Sequence, residues 1–268
     1  MESLAQITRL ILDMDGVLYR GSEPIPRLRE FFAFLRERRI PFMLATNNAT
    51  RTPQERSEKL ARMGAQVAPA EILTSAQGAA RFLKRQYPAG TRVHVFGMAA
   101  LREAVREEGF VLADEDVKIV VASVDRDVTF EKVKVASRLI RAGARFIATN
   151  LDPNIPAEDG FLPGTGAMVA MLATASGVAP TGIGKPEPIL YELAMSQMGA
   201  RPGTTAAVGD RVMTDIVGGK RAGLTTICVL TGASDRAEAE AAGADFIFAD
   251  IGALLDAWRA ALAAQTQA

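Results

Sequence analysis

The stretch Leu10-Ile11-Leu12-Asp13-Met14-Asp15-Gly16-Val17 decides the fold. An apolar run with the branching of a buried strand ends in two carboxylates one residue apart, and a glycine follows at once. Open α/β sheets place ligands beyond the carboxyl ends of their strands, which is where Asp13 and Asp15 fall. Alternate side chains of an extended segment point the same way. Two like charges held side by side repel unless a cation or a shared proton relieves them. The stretch therefore predicts a hard-metal site, a carboxyl pair with divided roles, or a polar strand end leading into a turn.

Apolar runs and helical patterns alternate outward from this point. Ile7 to Leu12 reads as a strand, Arg27 to Glu37 as a helix with Leu28, Phe31, Phe32 and Leu35 on one face, and Pro41 to Ala45 as the next strand. Pro53 to Met63 reads as a helix with Thr52 as its N-cap and Gly64 at its end. Such alternation predicts an α/β fold whose parallel sheet is covered on both faces, a Rossmann-like doubly wound core. The block from about Ala80 to Thr181 makes its own set: strands at Thr91 to Phe96, Val117 to Val124 and Ala144 to Ala148, with helices after each. We read a discontinuous core of residues 1–79 and 182–268 and a smaller α/β domain, 80–181, inserted in it. The Ala-rich end, Ala257 to Ala264, reads as a terminal helix.

Three further polar sites follow short apolar runs or open helices. Phe42 to Ala45 ends in Thr46-Asn47-Asn48, Ile183 leads into Gly184-Lys185-Pro186-Glu187-Pro188, and Ala206 to Val208 runs into Gly209-Asp210 and on to Thr214-Asp215-Ile216. Taken singly, Thr46 serves as a turn cap, Lys185 as a solvated helix start, and Asp210 and Asp215 as loop and N-cap residues. In order, however, the chain offers an Asp pair, a hydroxyl with amides, a lone Lys and a second Asp pair. This closely resembles the haloacid dehalogenase superfamily of phosphohydrolases, in particular its branch of type-two-capped, 4-nitrophenylphosphatase-like enzymes. The stretches Asp13-Met14-Asp15-Gly16-Val17-Leu18, Thr46-Asn47-Asn48, Gly184-Lys185-Pro186 and Gly209-Asp210 to Asp215 carry the resemblance, and it covers almost the whole chain. The insert matches too, through Val124 to Thr129, Ala148 to Asp152 and Pro163 to Gly166.

The resemblance implies a Mg²⁺-dependent phosphomonoesterase. Asp13 is then the nucleophile that forms an aspartyl-phosphate, and Asp15 the acid and base for the leaving oxygen and the attacking water. Thr46 and the backbone around Asn47 donate hydrogen bonds to the phosphoryl oxygens, and Lys185 balances charge as a compact cation. Mg²⁺ takes oxygen ligands, here from Asp13, the backbone carbonyl of Asp15 and Asp210, with Asp215 as a further candidate. The 80–181 domain becomes a type-two cap. Asn48, and Asn150 and Asp152 beyond the run Phe146 to Ala148, are candidates for substrate contact; the last two otherwise shape the turn before Pro153. The expected partner is a small phosphate ester such as a nucleoside monophosphate, sugar phosphate, phosphoglycolate or aryl phosphate, with homodimerisation through the cap as a further expectation.

Bulk properties narrow the alternatives. The 268 residues carry 31 Lys plus Arg against 31 Asp plus Glu, so neither a nucleic acid polymer nor an anionic membrane is the expected partner. One His (His94) and one Cys (Cys228) exclude a His-rich zinc site and any internal disulfide; both read as core residues. The basic cluster Arg36 to Arg39 reads as a solvated helix face. No run reaches the roughly twenty apolar residues of a membrane span, and no signal peptide is visible, so a cytoplasmic location is expected and the sequon Asn48-Ala49-Thr50 is not expected to carry sugar. Gly182-Ile183-Gly184-Lys185 lacks P-loop spacing, and Gly164-Thr165-Gly166 is half a dinucleotide fingerprint. A phosphomutase on the same scaffold, a dehalogenase and a non-catalytic phosphometabolite-binding module are the alternative functions.

Overall fold

The computed structural model describes residues 4–157 and 160–266. In chain order the first elements are β1 (Arg9–Leu12), β2 (Tyr19–Arg20), β3 (Glu23–Pro24), α1 (Leu28–Glu37), β4 (Phe42–Thr46) and α2 (Pro53–Arg62). Next come β5 (Ile72–Thr74), α3 (Ser75–Lys84), β6 (Arg92–Phe96), α4 (Ala99–Glu107), β7 (Val111–Leu112) and β8 (Ile119–Ala122). They are followed by α5 (Phe130–Arg141), β9 (Arg145–Ala148), β10 (Asn154–Ala157), β11 (Gly160–Pro163), α6 (Thr165–Ser176), β12 (Thr181–Gly182) and α7 (Ile189–Met198). The chain closes with β13 (Thr205–Gly209), α8 (Val217–Arg221), β14 (Thr225–Val229), α9 (Arg236–Ala241), β15 (Phe246–Phe248) and α10 (Ile251–Thr266).

These elements form two compact units, Met1–Thr46 with Pro53–Leu73 and Tyr191–Ala268, and Asn47–Thr52 with Thr74–Leu190. Helix α3 groups with the second unit, whereas the boundary read from sequence, between residues 79 and 80, falls inside that helix.

Among the described residues the first unit carries a six-stranded sheet in the order β15-β14-β13-β1-β4-β5. Strand β1 pairs in parallel with β13 on one side and β4 on the other, with Leu12 level with both Val208 and Leu44. Successive strands thus run outward from β1 in one direction and from β13 in the other, so the order reverses between these two. That reversal is where doubly wound sheets open a crevice at their carboxyl edge. Leu10, Leu12, Leu44, Val208 and Ile227 pack with Phe31, Leu35, Leu254 and Trp258 on one face. Neighbouring Cys228 joins Ile216 and Ala239 instead, so consecutive residues of β14 bury opposite faces, as a sheet covered on both sides requires.

The second unit repeats the logic with fewer strands, in the order β12-β9-β8-β6-β7, parallel throughout, beside an antiparallel hairpin of β10 and β11. Val93, Val95, Val121 and Ile147 bury one face against Ala79, Ala80 and Leu83 of α3. Phe96, Val120, Ala122 and Phe146 bury the other against Ala136, Val169 and Leu172. Thr129 caps α5, its hydroxyl accepting from Lys132 N at 3.3 Å. Cys228 and His94 are both buried, and α10 extends the expected terminal helix back to Ile251. No helix among the described residues is long and apolar enough to cross a membrane.

Candidate active site

The site of the first unit grows from the ends of its central strands. Leu12, Leu44 and Val208 share one level, and two residues further on lie Thr46 on β4 and Asp210 beyond β13. The parallel ladder persists one step past β1, where Asp13 N donates to Val208 O at 2.8 Å. Beyond it the chain turns tightly: Leu18 N donates to Met14 O and Gly16 N to Tyr19 O. Gly16 sits at φ +83, in the left-handed region where a Cβ is strained. The same glycine lets the Asp210 carboxylate rest against its backbone.

Asp210 is held from a second side. Ala233 N donates to its Oδ2 at 2.8 Å, and Gly232, like Gly16, has no side chain to fill the space the carboxylate takes. Thr231 ties this loop back to the first turn, its hydroxyl donating to Gly16 O at 2.5 Å, while Arg20 Nε donates to Thr231 O. Asp215 lies in a π-helical turn, Val212–Ile216, ahead of α8. Arg211 N donates to its Oδ2 at 3.1 Å, and the hydroxyls of Thr214 and Tyr191 reach its Oδ2 and backbone O. These contacts aim three carboxylates at one point: ligand oxygens of Asp13, Asp210 and Asp215 lie within 4.8 Å of one another. Asp210 and Asp215 are buried, Asp13 half-buried and Asp15 exposed.

Negative charge so concentrated raises the pKa of its neighbours. Burial first, then the charges of Asp210 and Asp215, push the Cys228 thiol up to about 11. Tyr19, fully buried, has its phenol raised well above the ordinary value by desolvation and then by the charge of Asp15, with Arg56 opposing. Lys59 Nζ lies 3.5 Å from the centroid of the Tyr19 ring. Such a carboxylate cluster suits a hard divalent cation, which takes oxygen donors.

The remaining sequence candidates belong to the second unit. Asn47 and Lys185 meet there: Asn47 Oδ1 accepts from Lys185 N and its Nδ2 donates to Lys185 O, both at 2.8 Å. Asp152 Oδ2 accepts from the same Nδ2 at 2.9 Å, and Asn150 Nδ2 donates to Asn47 O at 2.7 Å. Asn48 Oδ1 accepts from Thr50 N and Thr50 Oγ1 in a local turn. The structure thus brings Asp13, Asp210 and Asp215 together in one unit, and Asn47, Asn150, Asp152 and Lys185 in the other.

Sequence reasoning passed over Tyr19, Thr231 and Gly232. The signal was present for the last two: they follow the apolar run of β14 as Asp13 follows that of β1.

Comparison with known proteins agrees with this architecture. The family profile of haloacid dehalogenase-like hydrolases matches residues 10–111, and a second profile of the same kind matches 182–254. An acid sugar phosphatase of Staphylococcus aureus is 40% identical over 232 residues, 86% of this chain and 89% of the relative. The crystal structure of a 4-nitrophenylphosphatase from Thermotoga maritima superposes with a TM-score of 0.90 at 32% identity, covering 95% of this chain and 98% of that one. A glycerol phosphate phosphatase from Mycobacterium tuberculosis, crystallised with magnesium, gives 0.87 at 34% identity, covering 95% of this chain and 78% of that one. With the Asp13 motif opening the first profile match and the Asp210 motif inside the second, the chain belongs to the haloacid dehalogenase-like hydrolases, in their type-two-capped phosphatase branch.

Proposed function

We propose that this enzyme is a Mg²⁺-dependent phosphomonoesterase that hydrolyses a small phosphorylated metabolite through an aspartyl-phosphate on Asp13. The observation that carries the reading is the convergence of Asp13, Asp210 and Asp215 at the point where strand order reverses, with Asp15 two residues from the nucleophile. A phosphate ester is an anion and repels an attacking carboxylate. Asp13, Asp210 and Asp215 would hold a divalent cation, which would neutralise charge between the phosphate and the attacking carboxylate. In the first step an Asp13 carboxylate oxygen displaces the alkoxide from phosphorus while Asp15 gives the leaving oxygen its proton. In the second Asp15 takes a proton from water, which attacks phosphorus and releases Asp13 and inorganic phosphate. Thr46 and the backbone at Asn47 are assigned to the phosphoryl oxygens and Lys185 to its charge, on the strength of the motifs they stand in.

Sugar and polyol phosphates are the favoured substrates, because relatives named as an acid sugar phosphatase and a glycerol phosphate phosphatase are 40% and 34% identical to this chain. Nucleoside monophosphates and phosphoglycolate complete the class, with aryl phosphates as chromogenic surrogates. The test is release of inorganic phosphate from a panel of these esters, with Mg²⁺ and with chelator. Mg²⁺-dependent turnover of at least one ester is expected. No release from any of them, or undiminished release in chelator, would overturn the reading.

A further inference from the structure

In a loop of the second unit, every polar group on the Asn47 side chain is committed. A primary amide has two N–H donors and one carbonyl. One donor goes to Lys185 O, the other to Asp152 Oδ2, and the carbonyl takes Lys185 N. A single side chain therefore grips both backbone groups of Lys185, as a neighbouring strand does. The backbone of Lys185 sets which way round the amide sits, and Asp152 reinforces that choice by taking the second N–H. With the amide reversed, its oxygen would face the Asp152 carboxylate and the Lys185 carbonyl, and three acceptors would be left together without a donor.

Asp152 is itself set in place. Asn150 Oδ1 accepts from Asp152 N at 3.1 Å, and Asn150 Nδ2 bonds Asn47 O and, at 3.3 Å, Thr165 Oγ1. Ser75 Oγ donates to the same Asn47 O at 2.5 Å. Asn150 is only 4% exposed, and both ends of its amide are engaged inside the unit. Gly184 completes the fit: a Cβ there would lie 2.5 Å from Asn47 Oδ1 and 2.7 Å from Thr149 O. These are close approaches, and residue 184 can accommodate them only without a side chain.

We propose that Asp152, set by Asn150, is a positioning residue that locks the Asn47 amide and through it the backbone of Lys185, rather than a residue that selects the leaving group. The inference rests on the assignment of Lys185 to the phosphate made above. A lysine is a point charge on a flexible stem, so its place is set by its backbone more than by its own geometry. Misplacement of a reacting group by about 1 Å costs on the order of 10²-fold in rate.

The experiment measures kcat and KM for phosphate release from 4-nitrophenyl phosphate, glycerol 3-phosphate and a hexose phosphate, with thermal melting of each variant. Lys185→Ala is measured first: if it keeps full activity, the assignment of Lys185 has failed and the positioning claim falls with it. If Lys185→Ala is inactive, Asp152→Ala should lose about 10²-fold in kcat/KM on all three esters, leaving their ranking unchanged. Asp152→Asn keeps an oxygen that can accept from Asn47, so it should recover at least about tenfold over Asp152→Ala. The double variant Asn47→Ala/Asp152→Ala should be no worse than Asn47→Ala alone, because the two act as one unit. Gly184→Ala should reproduce the ranking-neutral loss, and it decides the matter if Asp152→Ala does not fold. Wild-type rates in Asp152→Ala, a reordered ranking, no recovery in Asp152→Asn, or additive losses in the double variant would each overturn the positioning role while leaving the phosphatase reading intact.

Discussion

The Asp210 carboxylate lies against the backbone of Gly16, in space that any side chain at residue 16 would occupy. Residues almost two hundred positions apart are thereby interlocked, and the first turn after β1 becomes part of the wall that fixes the second Asp motif. Gly16→Ala meets two obstacles at once, a left-handed backbone at φ +83 and an overlap with Asp210. It should destabilise the protein by roughly 1–3 kcal/mol and raise the Mg²⁺ concentration needed for activity. Denaturant melts and a metal titration check this; an unchanged Mg²⁺ requirement would separate the turn from the metal site.

Asp13→Asn preserves shape and removes the attacking charge. Turnover should fall by several orders of magnitude, in line with the loss of other covalent catalysts, while the melting temperature changes little because the residue is only half-buried. Retention of about a tenth of wild-type activity, far above what loss of a nucleophile allows, would rule out Asp13 in that role.

Asp15→Asn should separate esters by leaving group. Protonation matters most for alkyl phosphates and least for 4-nitrophenyl phosphate, and general acid catalysis contributes roughly 10²–10⁴-fold. The ratio of alkyl to aryl kcat/KM should therefore drop steeply. A parallel loss on both kinds of ester would argue against proton transfer by Asp15.

Chelator should inactivate the enzyme and Mg²⁺ restore it. Asp210→Ala should abolish activity or sharply raise the metal requirement. Asp215→Ala should act in the same direction but more mildly, since its Oδ2 is also engaged by Arg211 N and the Thr214 hydroxyl. Isothermal titration of Mg²⁺ into each variant reads the effect without turnover. Unaltered Mg²⁺ affinity in Asp210→Ala would remove that residue from the metal site.

His94, the single histidine, gives a clean pH probe. Its Nδ1 lies 2.9 Å from Asp114 Oδ1, a contact that favours the charged ring, yet burial is the larger influence and lowers its pKa below 6.5. Burial prevails because the Asp114 side chain is 82% exposed and water screens its charge. The unfolded chain then binds the proton at higher pH than the native one, so stability falls as pH drops from about 6.5 towards the native value, and is unaffected above that window. The imidazole resonance titrated by NMR should give a midpoint below 6.5, with denaturant midpoints falling over the same range. A midpoint above 6.5 would mean that Asp114 outweighs burial.

Much of this was legible in the sequence because it is written in local periodicity. The apolar run ending in Asp13 and Asp15, the run ending in Thr46 and the run ending at Gly209-Asp210 each announce a strand and the polar group beyond it. The order of these runs was enough to predict a parallel doubly wound sheet and an insert with its own sheet. The buried Cys228 follows from the same local rules.

Tertiary structure alone decided what those strand ends do to one another. The motifs in their order grouped Asp13, Asp210 and Asp215 by resemblance, but it is register, with Leu12 level with Val208, that physically brings them together across almost two hundred residues. The two-residue strand β12 and the hairpin of β10 and β11, which contains Pro156 and Pro163, are too short or too irregular to give a period, and they take their form from their neighbours. In the sequence, Asn47, Asn150 and Asp152 are three polar residues in loops. Folding turned them into one chain of hydrogen bonds ending on the backbone of Lys185, because the direction of a side-chain amide is set by the donors and acceptors that packing places around it.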